Sequence, residues 1–151
     1  MFNETIVKFG YPRTLLREYA HWVVLLRPAQ VTAGSLILAA KGDARAYGEL
    51  GADAFVEQAT VVAEIEAVLQ RVIAYERLNY LMLMMVDPHV HFHVIPRYQG
   101  TRSFAGVELA DAGWPGPPDL KSAVALDDAA LDTGVQLLGT AYGQLSATIL
   151  G

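Results

Sequence analysis

Pro88-His89-Val90-His91-Phe92-His93-Val94-Ile95-Pro96-Arg97 holds three of the four histidines of the chain, each separated from the next by one apolar residue. Read as a β-strand from Pro88 to Arg97, the segment turns all three imidazoles to one face and Val90, Phe92 and Val94 to the core, because strand side chains alternate. Three titratable rings buried in a row without a use are costly, and an ordinary core fills such positions with Val or Ile. A lone histidine on an apolar face needs no function; this alternating triple points to chemistry.

Working outward, Leu78 to Val86 reads as a second strand, joined to the first through Asp87-Pro88. From Ala52 to Arg77 the period changes to three and four, with Phe55, Ala59, Val62, Ile65, Leu69, Val72 and Ile73 on one stripe, which predicts a long amphipathic helix. Asp53 stands near its start, where a carboxylate complements the helix dipole. Glu64 and Glu66 are expected on solvated flanks. Upstream, His21 to Leu26 and Ser35 to Ala40 read as strands, separated by the breaker Arg27-Pro28-Ala29-Gln30 and closed by Lys41-Gly42-Asp43. Downstream, Asp111-Ala112-Gly113-Trp114-Pro115-Gly116-Pro117-Pro118 excludes regular helix or central strand. A last helix is expected from Asp127 to about Tyr142, weakened by Gly134 and Gly139. The order strand, strand, helix, strand, strand, loop, helix predicts an α+β fold with a mainly antiparallel sheet.

The bulk composition narrows the chemistry. With 151 residues, 53% apolar and 18% charged, the chain suits one globular domain. Its net charge of -5 disfavours binding to a nucleic-acid polymer, which needs clustered Lys and Arg. The absence of cysteine excludes disulfides, zinc-thiolate sites, iron-sulfur clusters and thiol nucleophiles, and it suits the cytoplasm. Met1-Phe2-Asn3-Glu4-Thr5 carries no signal-peptide pattern, and Tyr80 to Val86, the longest apolar run, is far too short to cross a bilayer. The expectation is therefore a cytoplasmic protein without a membrane partner.

Two chemistries use a row of histidines. One is metal binding. A single ion held by all three is disfavoured, because the outer Cα atoms of an extended triple lie about 13 Å apart and a zinc-nitrogen bond is only about 2 Å. Two of the three remain able to bind a metal together with His21 or a carboxylate. The other is nucleotidyl or phosphoryl transfer, in which one imidazole attacks phosphorus and its neighbours donate hydrogen bonds to the nonbridging oxygens. Near neutral pH histidine serves as a neutral nucleophile or as a charged donor.

His89-Val90-His91-Phe92-His93-Val94-Ile95 resembles the motif of the histidine triad family, three histidines alternating with apolar residues and followed by two more. Pro96-Arg97 also resembles many members. Leu25-Leu26-Arg27-Pro28 through Gly34-Ser35-Leu36-Ile37-Leu38 looks like the first strand pair of the family, and the helix from Ala52 lies where the family has its long helix. The resemblance covers residues 18 to 98, just over half of the chain. It implies one domain over residues 1–151, with a triad core at 18–98 and a C-terminal extension at 99–151, a cleft for a purine nucleotide, and a homodimer with joined sheets.

By motif position, the resemblance makes His91 the nucleophile and His89 and His93 the flanking residues that orient it and contact phosphate. A dinucleoside polyphosphate hydrolase of the diadenosine tetraphosphate type is the leading expectation, with a nucleoside phosphoramidase as the nearest variant. The alternatives are a metal-dependent enzyme built on a His-x-His pair and a noncatalytic nucleotide-binding module. Two departures support the last. Ser35 stands where members often carry a fourth histidine, and Met84-Met85-Val86-Asp87-Pro88 replaces a Gly-Gln loop. Asn79, Ser35, Gln30 and Arg97 are the candidate nucleotide or phosphate ligands. Arg102 and Trp114 are weaker candidates, with surface and loop-anchor roles as their ordinary reading. No tightly bound metal is expected, although a divalent cation can accompany the substrate. Val56, Val61 and Val68, outside the main apolar stripe of the helix, add a patterning argument for a symmetric dimer.

Overall fold

The computed structural model describes residues 2–150. Their order is α1 (Glu4–Lys8), β1 (Leu15–Glu18), β2 (Trp22–Leu26), β3 (Ala29–Gln30), β4 (Leu36–Ala40), a 3-10 turn at Tyr47–Glu49, α2 (Ala52–Ile73), β5 (Arg77–Leu81), β6 (His91–Arg97), β7 (Thr101–Phe104), β8 (Val107–Ala110), a second 3-10 turn at Leu120–Ser122, β9 (Val124–Ala125) and α3 (Asp128–Leu150). The predicted α+β architecture with an antiparallel sheet is present. The five-stranded sheet has the order β1-β2-β4-β6-β5, and every neighbouring pair is antiparallel.

β2 and β4 are continuous apolar runs because both of their faces are covered. Trp22, Val24, Leu26, Leu36, Leu38 and Val94 face α2 and α3, meeting Val61, Ile65, Leu69, Leu138 and Tyr142. Val23, Leu25, Ile37 and Ala39 face the opposite way and are covered by Ile6 of α1, with Phe2, Phe9, Tyr11 and Leu15 packed around them. Each fully buried large side chain contributes about 1.5–3 kcal/mol relative to exposure. Trp22 also ties sheet to helix through its Nε1–H, which donates to the Ala54 carbonyl at 2.8 Å.

Several expectations are corrected. α2 ends at Ile73 and not at Arg77, because Ala74 adopts a left-handed conformation (φ 54) and its N–H closes on the Gln70 carbonyl. Its buried stripe is Ala54, Val61, Ile65, Val68, Leu69 and Ile73, while Phe55 and Ala59 are exposed. Val61 and Val68 are thus 0% exposed and belong to the core. The patterning argument for a dimer disappears with them and leaves only Val56 outside. Glu64 and Glu66 are not free in solvent: they accept hydrogen bonds from the hydroxyls of Tyr19 (2.5 Å) and Tyr80 (2.9 Å).

β5 is shorter than expected and β6 starts later. Residues 82–90 form a loop, since the apolar Met85 and Val86, 85% and 84% exposed, have no sheet to pack on. Pro88 has no N–H to donate to a ladder. His89 therefore stands outside β6. The chain after Arg97 also builds more than one helix. β7 and β8 form a hairpin whose turn residues, Ala105 and Gly106, both have positive φ, as a two-residue type I′ turn requires. β9 pairs with β3 across the Arg27–Gln30 breaker.

α3 runs to Leu150, well beyond the expected end at Tyr142. Its glycines are not equivalent. A Cβ on Gly134 would meet Leu26 Cδ2 at 2.9 Å and the Phe104 ring at 3.0 Å, whereas Gly139 and Gly143 have open space. Gly134→Ala is expected to destabilise the fold by about 1–3 kcal/mol through overpacking. Gly139→Ala and Gly143→Ala should each stabilise it by up to about 1 kcal/mol through helix propensity. Urea unfolding of the three variants checks the difference in sign.

Candidate active site

β6 is held on both sides, with His91 opposite Ala39, His93 opposite Ile37 and Leu81, and Ile95 opposite Asn79. Alternation puts Phe92 and Val94 among the α2–α3 core and His91 and His93 on the face covered by the α1 segment. Phe9 packs against both rings, 5.7 Å from His91 and 5.8 Å from His93, and the two imidazoles lie edge to face at 5.2 Å.

His89 joins the cluster from the loop. Its Nδ1 lies 2.9 Å from the Thr5 hydroxyl, which also accepts from the His89 N–H at 3.4 Å. Its carbonyl oxygen lies 2.7 Å from His91 Nδ1. A carbonyl only accepts, so His91 Nδ1 carries the hydrogen and Nε2 of the neutral ring presents its lone pair. That Nε2 is fully buried and has no hydrogen-bond partner among the described residues. A basic nitrogen kept bare inside a fold is unusual, because buried polar atoms are normally paired.

His93 has the opposite tautomer. Arg27 Nε donates to its Nδ1 at 3.2 Å. A guanidinium only donates, so the hydrogen of neutral His93 sits on Nε2. Burial first, then the charges of Arg27 and His91, lower the His93 pKa to about 4, against a smaller opposing effect of Asp87. His93 is thus a neutral donor near pH 7 and not a charged one. The cluster combines a bare acceptor nitrogen on the central ring with an N–H on the next ring, which is the complement needed to attack phosphorus and to hold its oxygens.

The other sequence-derived candidates fall elsewhere. Gln30 and Ser35 are fully buried and build the turn between β2 and β4. Gln30 Oε1 accepts from the N–H groups of Gly34 and Ser35, and its Nε2 donates to the carbonyls of Arg27 and Ser35. Ser35 Oγ accepts from the Thr32 N–H and donates to the Thr32 carbonyl. Arg97, at the far end of β6, forms a buried ion pair with Asp111 at 2.7 Å and also donates to Asn79 Oδ1 and the Gly116 carbonyl. All of its guanidinium nitrogens are engaged, so it locks the Gly/Pro-rich loop to the sheet. Arg102 donates to the carbonyls that end α2 and stacks on Tyr98. The Glu57 carboxylate accepts from the backbone N–H of His21 at 2.6 Å.

Thr5, Lys8, Phe9 and Arg27 are the neighbours that sequence reasoning missed. Lys8, Phe9, Arg27, Pro28 and Ala29 line a cavity of about 230 Å³ beside the triad. Lys8 is paired there with Asp87 at 2.5 Å. Among the described residues no group of three or more His, Cys, Asp or Glu side chains is placed to hold a metal ion, and no helix is long and apolar enough to cross a membrane.

No protein-family model and no curated protein matches the sequence. Solved structures do. A hypothetical histidine triad nucleotide-binding protein from Sulfolobus tokodaii superposes with a TM-score of 0.70 at 18% identity, over 90% of this chain and 87% of that one. A histidine triad protein from Marinobacter aquaeolei gives 0.68 at 23% identity, over 96% and 97%. A zinc-bound histidine triad family protein from Mycobacterium smegmatis gives 0.64 at 17% identity, over 95% and 93%. Sequence motif and architecture agree: the chain has the fold of the histidine triad proteins.

Proposed function

We propose that the chain is a nucleotidyl hydrolase or transferase that works through a covalent intermediate on His91. The observation that carries this reading is the bond from His91 Nδ1–H to the His89 carbonyl, which leaves a bare Nε2 lone pair at the centre of the triad. In the first step Nε2 forms a bond to the phosphorus of a nucleoside phosphate ester, anhydride or phosphoramidate. The bond from phosphorus to the leaving oxygen or nitrogen breaks, and the leaving group departs with that electron pair. In the second step the oxygen of water or of another acceptor bonds to the same phosphorus and gives up its proton to solvent, while the phosphorus–Nε2 bond breaks and its electron pair returns to Nε2. His93 Nε2–H donates to a nonbridging oxygen in both steps. His89 orients His91 through its carbonyl, and Thr5 fixes His89.

Phe9 lies over His91, so the α1 segment has to give way before phosphorus reaches Nε2. A purine nucleotide is the proposed substrate, most specifically a dinucleoside polyphosphate, in a homodimer in the cytoplasm. Arg97 is left out of the phosphate contacts, because its donors are committed. Asn79 and the turn residues Gln30 and Ser35 serve the frame. A divalent cation, if used, arrives on the phosphates. Exhaustive chelation is therefore expected to leave both fold and phosphoramidase-type turnover intact; stoichiometric zinc on His89 and His91 in the purified protein would favour the metalloenzyme instead.

His91→Ala should fold and bind nucleotide while turnover falls by several orders of magnitude, as expected for loss of a nucleophile. His93→Ala should lose less, on the order of 10²–10³, the scale of one charge-stabilising donor. Acid quench of the wild type, followed by peptide mass spectrometry, should find a nucleotide on the peptide that holds His91. Near-normal turnover in His91→Ala, or an adduct on another residue, rules the mechanism out.

The lowered pKa of His93 sets a second test. Unfolded histidine titrates near about 6.5, and the folded ring near 4. Between these values the unfolded chain binds more protons, so the stabilising contribution is complete above the upper value and is lost as pH falls towards the lower one. An NMR titration should show the His93 ring in its neutral form down to about pH 5, roughly one unit above its folded pKa. Titration of His93 near its ordinary value would contradict the buried setting beside Arg27 that lowers its pKa.

A further inference from the structure

Arg27 leaves β2 beside the triad and is half-buried. Its Nε donates to His93 Nδ1, and its Nη1 donates to the Ala29 carbonyl. Its Nη2 makes no hydrogen bond among the described residues. Arg97, Lys41 and Lys8 have carboxylate partners in Asp111, Glu18 and Asp87. Arg27 has none among the described residues. Burial lowers its pKa, the signature of a cation taken from water without compensation. Arginine nevertheless stays charged in proteins. The fold therefore keeps an uncompensated guanidinium next to the group proposed to hold the reacting phosphate.

The guanidinium lines the cavity together with Lys8, Phe9, Pro28 and Ala29. At about 230 Å³ the space is smaller than the roughly 300–1,000 Å³ of ordinary small-molecule pockets. It suits a single phosphate group better than a base with its sugar. Arg27 supplies the free N–H groups of a planar fork, which match phosphate geometry. Lys8, with its side chain 55% exposed, supplies a second positive charge from α1, and Asp87 is the one acidic group paired with it there. The local balance of Arg27, Lys8 and Asp87 is one net positive charge in a chain whose total is -5.

We propose that Arg27 is a specificity-determining residue that receives a second phosphate of the substrate, distinct from the one whose phosphorus His91 attacks. The inference rests on the nucleotidyl-transfer reading for what is bound, and it adds that the substrate carries this extra phosphate. Two sources share that chemistry. One is the next phosphate of a polyphosphate chain; the other is a phosphate on the ribose 2′ or 3′ hydroxyl. Through its contact with His93, Arg27 then links occupancy of the cavity to the ring that donates to the reacting phosphate.

Calorimetry on the full chain carrying His91→Ala tests this without turnover, using AMP, ADP, adenosine 3′,5′-bisphosphate and pyrophosphate. ADP or the bisphosphate is expected to bind at least about tenfold more tightly than AMP, in keeping with one hydrogen-bonded charge contact. A gain with ADP assigns the group to the chain, and a gain with the bisphosphate assigns it to the ribose. Adding Arg27→Gln should erase the gain, so that ADP or the bisphosphate binds no more tightly than AMP does to the same variant. Arg27→Lys should restore part of it, since charge remains and the fork is lost. Pyrophosphate should show the same dependence on Arg27 with no nucleoside present. No gain with either nucleotide, or a gain that survives Arg27→Gln in a folded variant, overturns the proposal. Failure of the covalent mechanism would register separately, as absence of a His91 adduct in the wild type, and leaves these binding ratios unaffected.

Discussion

The hydrogen bond from His91 Nδ1 to the His89 carbonyl is the contact on which the chemistry of the site depends. It exists because the chain is not a strand at His89. Had β6 begun at Pro88, the carbonyl of His89 would belong to the sheet ladder and His91 would have no acceptor two residues behind it. The 82–90 loop prevents this. Its last residues are pinned by Val90, whose N–H donates to the Ala44 carbonyl and whose own carbonyl accepts from the Ala40 N–H. Thr5 then holds His89 from the opposite layer. The tautomer of His91 is thus set by backbone, and no charged partner is needed to raise the basicity of Nε2. An acidic partner would favour the protonated ring, which cannot attack.

The same face is buried, and burial has different consequences for each ring. His91 loses nothing as long as it remains neutral. His93 is pushed towards neutrality by burial and, after it, by Arg27. A phosphate entering this face meets N–H donors already oriented and buried, the condition under which fixed dipoles act most strongly. The covering group is aromatic and small in number of polar contacts: Phe9 packs on the rings, while Thr5 and Lys8 hold α1 to His89 and Asp87. Five helical residues contribute few backbone bonds of their own, so the cover is held largely by these side chains.

The parts of the fold legible in the sequence are those whose signal is long or strictly alternating. β2 and β4 are apolar on every residue, α2 repeats over six turns, and the His-x-His-x-His row can only be a one-sided pattern. What was missed is short or non-local. α1 has five residues, too few for a period to show. The β7–β8 hairpin turns on Ala105-Gly106 and not on the Asn-Gly or Asp-Gly that marks such turns. The rotation of the α2 stripe by one position came from Ala54 and Val61, which no propensity separates from Phe55 and Val62. At the site, Arg97 read as a phosphate ligand because its partner Asp111 lies 14 residues away in a Gly/Pro-rich segment, where nothing local announces a pairing. Arg27 was hidden for the converse reason. It stood in a strand-breaking tetrapeptide, and only the fold shows that the turn delivers it to His93.

The two arginines show how one sequence distributes order and readiness along a single sheet face. Arg97 is 4% exposed and saturated by a carboxylate, an amide and a carbonyl. Breaking such a buried pair costs about 3–5 kcal/mol because one charge is left uncompensated, so it serves as a rivet at the end of β6. Arg27 sits at the triad with the same chemical group and no counter-charge among the described residues, a state the fold tolerates because Nε and Nη1 are still bonded and part of the group reaches solvent. Neutralising it within the chain would have been simple; a single Asp or Glu in the cavity wall suffices. Such a residue would also fill the space and repel an incoming phosphate. The cost of leaving Arg27 unpaired is recoverable by an anion that the described residues do not supply, and the cavity opens beside the rings that need a phosphate held in place.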